Sequence, residues 1–268
     1  MTHFAILLCS LILLVNSVHV TEKYKPTTFH ETDGRIINGE NATLGQFPWQ
    51  TGIYLAYNDT YYWFCGGSII SEEWILTAAH CLDGAETAYA YMATVDLFWV
   101  AAVTVSSEFI LHEKYNASTL ANDIGLIKLD GKIRFDDDVA PIALSSEPLE
   151  AGDVVTVSGF GITSDADEEI LSQFLNYITV TTITNSECAA VYGDAVLESM
   201  VCTSAGSDPV KGACIGDTGG PAVLNADTNP VHVGIASFIG GTGCEQGNPS
   251  GFTRTAYYRN WIKEKTGI

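Results

Sequence analysis

Three residues could share one reaction: His80 in LTAAHC, Asp123 in NDIGLIKL and Thr218 in GDTGGP. A hydroxyl becomes a nucleophile when a neighbouring imidazole takes its proton, and a carboxylate can hold that imidazole in the right orientation. His80 ends an apolar run and stands beside Cys81, where a disulfide would hold the backbone still, as a general base requires. Asp123 opens an apolar stretch. A carboxylate there is costly unless paired, so a partner such as an imidazole is expected, with a turn cap as the alternative role. Gly216 and Gly219 flank Thr218 and permit backbone geometries that turn N–H groups outward into a cleft. Such groups can stabilise an oxyanion. His112, in ILHEKYN, and His232, in NPVHVGI, read as surface or strand residues.

The elements that must position these residues are short. From Ile36 onward the chain alternates β-type runs with turn signals: WQTGIYLAY, WFCGGSII, WILTA, FWVAAVTV, IGLIKL, VVTVSGF, FLNYITVTTI, PAVL and VHVGIASF. Helical spacing is expected only at the end, in AYYRNWIKEK, with Tyr257, Trp261 and Ile262 on one face. Many short strands with one closing helix imply an all-β sandwich or a pair of barrels. The acidic runs Asp136–Asp138 and Asp165–Glu169 read as solvated loops.

The chain has 268 residues and a formal net charge of -20, with 47% hydrophobic residues. That length buries a substantial core. The acidity argues against nucleic acid and anionic membranes as partners. The N-terminal MTHFAILLCSLILLVNSVHV has the form of a secretory signal, residues 1–17 with a cut as late as 20. A polar leader follows to Arg35, and residues 36–268 form the folded domain. Once Cys9 leaves with the signal, Cys65, Cys81, Cys188, Cys202, Cys214 and Cys244 remain, an even set for a secreted chain. Spacing alone leaves about 15 pairings open. There is no C-x-x-C, so neither a metal site nor a cofactor is expected. Asn41, Asn58 and Asn116 begin glycosylation sequons.

Taken together, RIINGE, CGGSII, LTAAHC, NDIGLIKL, GDTGGP and YYRNWI resemble the chymotrypsin-like serine peptidase family from Ile36 to the C-terminus. SGFG, ECAAVYG and SF before a glycine-rich loop resemble its arthropod collagenase and chymotrypsin branch. The resemblance implies two six-stranded antiparallel barrels with a C-terminal helix. It implies disulfides Cys65–Cys81, Cys188–Cys202 and Cys214–Cys244. His80 would be the general base, Asp123 its orienting partner, and the N–H groups of Gly216 and Thr218 the oxyanion hole. Cleavage of Arg35–Ile36 by an arginine-cleaving protease would free an amine that pairs with Asp217. Gly212 would form the base of a specificity pocket, with Ala213 beside it, Ser250 on the far wall and Ile239 at the neck. That pocket holds no carboxylate, so small or apolar residues of a protein or peptide substrate are expected, and a monomer suffices. One departure bears on activity. The family has serine where Thr218 stands, and its extra methyl stiffens χ1 in a crowded site. Hydrolysis is therefore expected to be absent or strongly impaired, with binding as the function. The alternative is a working endopeptidase with a threonine nucleophile.

Overall fold

The computed structural model describes residues 36–58, 60–166, 171–206, 210–239 and 243–268. The expected signal, the leader and Arg35 lie outside the described residues. Among the described residues, fifteen strands and three α-helices run in chain order. The first group is β1 (Glu40–Asn41), β2 (Gln50–Tyr57), β3 (Tyr61–Ser71), β4 (Trp74–Thr77), α1 (Ala79–Leu82), β5 (Thr87–Met92), β6 (Ala102–Ser106), β7 (Glu108–Leu111) and β8 (Gly125–Lys128). The second is β9 (Ala143–Leu144), β10 (Val154–Gly159), β11 (Asn176–Ile183), α2 (Asn185–Tyr192), β12 (Met200–Thr203), β13 (Pro221–Leu224), β14 (Val231–Phe238), β15 (Ser250–Arg254) and α3 (Arg259–Thr266).

These strands make two bodies, antiparallel except where β9 pairs parallel with β14, and β1 belongs to the second through its pairing with β11. In the second, β11, β10, β13, β14, β15 and β12 pair in turn and β11 pairs back onto β12, closing a six-stranded barrel. In the first, the order is β6-β5-β2-β3-β4-β8-β7. Its two edges, β6 and β7, are separated in the chain by Ser107 alone. The curled sheet therefore returns on itself through the covalent chain, helped by the Ser106 hydroxyl donating to the Lys128 carbonyl at 2.6 Å. Closure of this kind leaves little edge for aggregation.

Alternation along the strands explains the two cores. In β11 the pattern buries Asn176, Ile178, Val180 and Thr182 and turns the intervening residues outward. Ile53, Leu55, Ile69, Leu76 and Leu126 fill the first body, and Val155, Val157, Ile178 and Phe252 the second. A third cluster, with Trp49, Tyr91, Leu97 and Phe160, joins strands of both bodies. The C-terminal helix docks Ile262 into the first core, so the last element of the second body also fastens the first.

Two local expectations need correction. The strand expected from Phe98 begins only at Ala102, because Asp96 turns the chain: its carboxylate accepts the Phe98 N–H and its carbonyl the Trp99 N–H. The second is α2, a helix that apolar spacing does not reveal. Its start is fixed by a capping box in which Thr184 accepts from the Glu187 N–H and Glu187 accepts from Thr184. Only Cys188 of this helix is buried, so it carries no apolar stripe to read.

Candidate active site

The three residues singled out by type are brought to the junction of the two bodies by three different elements. His80 lies on the one-turn helix α1, immediately after β4. Asp123 precedes β8, after Asn122 in a left-handed conformation with φ 56°. That turn is held by Tyr258, whose hydroxyl donates to the Asn122 side chain at 3.0 Å. Thr218 sits in the tight turn before β13.

Asp123 is completely buried and fully engaged. One oxygen accepts the His80 backbone N–H at 2.8 Å; the other lies 2.8 Å from His80 Nδ1 and also accepts the Ser237 hydroxyl. A carboxylate can only accept, so Nδ1 carries the proton in the neutral imidazole and Nε2 keeps its lone pair. Three donors on one buried carboxylate fix both its position and that of the ring. The imidazole stays accessible, its side chain 25% exposed.

A disulfide, Cys65–Cys81, binds β3 to α1 beside the imidazole. The same strand grips the Thr218 turn: the Gly66 N–H donates to the Thr218 carbonyl at 2.7 Å. The turn leaves no room for substitution at Gly219. A Cβ there would fall on the Thr77 hydroxyl and 2.5 Å from the Gly66 carbonyl, and its φ is +83°. Gly216 also has positive φ, 94°. Among the described residues, neither the Gly216 nor the Thr218 N–H donates to a protein acceptor. Two neighbouring free amides on a positive-φ turn can hold a developing oxyanion.

The Thr218 hydroxyl is placed differently from what a proton transfer needs. Oγ1 lies 3.7 Å from Cys65 Sγ, and no hydrogen bond joins it to His80 among the described residues. His80 Nε2 instead has Cys81 Sγ at 3.6 Å. Hydroxyl and imidazole thus both lean on the disulfide. The sulfurs of that bridge are bonded to one another, so their proximity to His80 does not make a thiolate metal site.

Beneath the turn, Asp217 is fully buried, accepting N–H groups from Cys214 and Gly161 at 2.8 Å each. Burial pushes its carboxyl up to about 7, against the pull of those two donors. A Cβ at Gly159 or Gly161 would strike the Asp217 side chain, so both glycines are needed to admit it. Ile36 is itself wholly buried, and Ile37 bridges to Gly212.

Gly212 opens onto Ser250, whose hydroxyl would lie 3.5 Å from a Cβ placed there. Ala213 and Ser250 are buried alongside, and Ile239 packs with Ile37, Ile162 and the Cys214–Cys244 bridge. The three cystines join the expected partners: Cys65–Cys81, Cys188–Cys202 and Cys214–Cys244. Asn41, Asn58 and Asn116 are all exposed. His112 stacks against Tyr258 and Trp261, and His232 is buried with Nδ1 on the Thr255 hydroxyl. Neither approaches the site. Sequence reasoning missed Ser237, Thr77, Gly161 and Phe238, whose ring covers Gly251. Ser237 and Gly161 act on carboxylates 114 and 56 residues away in the chain and Thr77 on the neighbouring strand β3, and their residue types carry no signal of it.

A family model described as Trypsin matches residues 36–262. Collagenase of Hypoderma lineatum is 38% identical over 253 residues, 92% of this chain and 93% of that protein. Brachyurin of Leptuca pugilator is 39% identical over 236 residues, 87% and 99%. Among solved structures, HL collagenase at 1.7 Å resolution superposes with a TM-score of 0.77 at 37% identity, covering 87% of this chain and 99% of that one.

Proposed function

The chain belongs to the trypsin family of chymotrypsin-like serine peptidases, and we propose that it is a secreted, zymogen-type member whose hydrolysis is absent or strongly impaired and whose function is to bind peptide. The observation that carries this reading is Thr218. Its hydroxyl rests on Cys65 Sγ rather than on His80. Two heavy atoms on the Cβ fill two of its three staggered positions. Turning χ1 to aim the oxygen at His80 swings the methyl as well, into space that serine leaves empty. Misplacing a reacting atom by about 1 Å costs roughly 100-fold in rate.

The remaining machinery supports a peptide-binding cleft. His80 would act as base and then acid, Asp123 would stabilise its charged form, and the Gly216 and Thr218 amides would hold the carbonyl oxygen. Asp217 supports activation at Arg35: a buried carboxylate with no cation beside it among the described residues gains a counter-charge when the Ile36 amine is freed. The pocket at Gly212 and Ser250, with no carboxylate among the described residues and with Ile239 beside it, suits small or apolar residues. The activator is an arginine-cleaving protease. Among the described residues no helix is long and apolar enough to cross a membrane. A second reading, an endopeptidase that works through Thr218 and cleaves after small or apolar residues, is favoured by the intact His80–Asp123 pair and the two free amides.

The test is to cut at Arg35 and measure peptide hydrolysis and fluorophosphonate labelling of the natural chain and of Thr218→Ser. A gain of about 100-fold or more on restoring serine is expected. Turnover of the natural chain within about tenfold of the serine variant, a barrier difference under about 1.4 kcal/mol, would make it the working endopeptidase instead. Preferred cleavage after Lys or Arg would overturn the pocket assignment.

A further inference from the structure

A cavity of about 380 Å³ opens between the end of β15, the start of α2 and the loop after β9. Arg254, Asn185 and Glu198 line it together with Pro148, Leu149 and Tyr257. None of these residues belongs to the active site or to the depression at Gly212 and Ser250. Arg254 is the unusual member. It is half-buried in a chain with 32 acidic residues and 12 basic ones, yet among the described residues it makes no ion pair. Arginines taken out of water are ordinarily paired.

The guanidinium is held in place by neutral acceptors. Nε donates to the Met200 carbonyl at 2.7 Å and one terminal nitrogen to the Leu149 carbonyl at 2.9 Å; the other reaches the Asn185 side chain only at 3.4 Å. A guanidinium has five N–H groups, so one on each terminal nitrogen is left over. Burial draws its pKa below the ordinary value, against the support of Glu150 and Glu198, and the group stays charged. Neighbouring N–H groups of this kind take both oxygens of one carboxylate through charge-assisted bonds. Leu149, Pro148 and the ring of the exposed Tyr257 make the rest of the wall largely apolar, which suits a hydrocarbon or aromatic body behind the carboxylate.

The net charge of -20 does not forbid an anion here. At physiological salt the field of distant carboxylates is screened over about 8 Å, so Glu150 and Glu198 are the opposing charges that count. They oppose a doubly charged sulfate or phosphate more than a single carboxylate. We propose that this cavity binds a monoanionic carboxylic acid with an apolar body, its carboxylate on the Arg254 fork and its tail against Leu149, Pro148 and Tyr257. A free aliphatic acid and the C terminus of a peptide ending in an apolar residue share this chemistry. The site depends neither on turnover at Thr218 nor on cleavage at Arg35.

The test is calorimetric titration of the natural chain with hexanoate, N-acetyl-leucine, their neutral amides hexanamide and N-acetyl-leucinamide, and acetate. At least one of the two larger acids should bind about tenfold or more tightly than its own amide, and more tightly than acetate. Binding of N-acetyl-leucine alone assigns the site to peptide C termini, and binding of hexanoate alone to aliphatic acids; either supports the carboxylate site. Glu198→Gln, at an exposed position, should tighten the acid about threefold and leave the amide unchanged. Tyr257→Ala should weaken the acid and leave acetate unchanged. Arg254→Lys keeps the charge without the fork and should weaken the acid about tenfold. Because Arg254 also holds two backbone carbonyls, thermal unfolding of that variant is measured alongside; if it does not fold, Glu198→Gln and Tyr257→Ala decide. Equal binding of each acid and its amide, or acid binding that Glu198→Gln and Tyr257→Ala both leave untouched, overturns the assignment.

Discussion

Cutting the Arg35–Ile36 bond should change how stability depends on pH, and Asp217 sets the size of the change. In the uncut chain its buried carboxyl is raised from 3.8 to about 7 by desolvation. Between those values the folded chain holds a proton that the unfolded chain releases. Stability of the uncut chain therefore falls as pH rises from about 4 to about 7, and levels off above. The rise amounts to about 4 kcal/mol of stability lost across that window. After cleavage an ammonium at Ile36 reaches the same carboxylate. It lowers the Asp217 pKa, so the loss between pH 4 and 7 disappears, and the contribution is instead present there and lost on further acidification. The freed Ile36 amine, with an ordinary pKa of about 8, stays largely protonated over this window, and the side chains of the folded domain are common to both forms and cancel in the comparison. The assay is urea unfolding of an uncleavable Arg35→Gln chain and of the cut natural chain, at matched salt, at pH 4.5 and 7.5. The uncut chain should lose about 3 kcal/mol more than the cut one over this interval. Parallel pH profiles would refute the pairing of Ile36 with Asp217.

Three further outcomes follow from the site. In cut Thr218→Ser, Asp123→Asn should lower kcat by about 10⁴-fold with little change in KM, because an amide cannot accept from both His80 N–H groups and favours the wrong tautomer; steady-state kinetics check it. Gly219→Ala should cost more than about 3 kcal/mol, since its Cβ meets the Gly66 carbonyl at 2.5 Å on a backbone with φ +83°; thermal unfolding reads the loss. Ile239→Gly in the Thr218→Ser background should move the preference from small residues toward large apolar ones, as peptide-library profiling would report; an unchanged profile would remove Ile239 from the pocket neck.

The sequence made the fold legible where a strand alternates or is solidly apolar, as in Gln50–Tyr57 and Val231–Phe238. It hid strands whose residues lack that signature. Thr87–Met92 sets its strand-forming Thr87, Tyr89 and Tyr91 between two alanines, which weakens the apolar signal, and Ser250–Arg254 opens on Ser-Gly and forms because its neighbours pair with it rather than from its own preference. The helix at Asn185–Tyr192 was readable from Thr184 and Glu187, the ends of its capping box, but not from apolar spacing. At the site, His80, Asp123 and Thr218 stood out because hydroxyl, imidazole and carboxylate are chemically distinctive. Ser237 did not. Its hydroxyl reaches Asp123 across 114 residues of chain, and one serine in an apolar strand looks like any other.

The Cys65–Cys81 bridge changes how the threonine should be understood. Sequence alone frames the question as one methyl group against an open cleft. In the structure the constraint is two-sided: Thr218 Oγ1 faces Cys65 Sγ, and His80 Nε2 faces Cys81 Sγ. The disulfide is a fixed wall shared by nucleophile and base, because it ties β3 to α1 and the Gly66 N–H of that strand also holds the Thr218 carbonyl. A serine hydroxyl can leave that wall for the imidazole by rotating alone. A threonine hydroxyl must carry its methyl with it, through a turn so tight that even a Cβ added at Gly219 would strike Thr77 and Gly66 and press on Cys81. The backbone amides do not depend on this rotation. Binding of a peptide carbonyl at Gly216 and Thr218 can thus persist while proton transfer is lost, which is the separation of binding from turnover that the Thr218→Ser comparison measures.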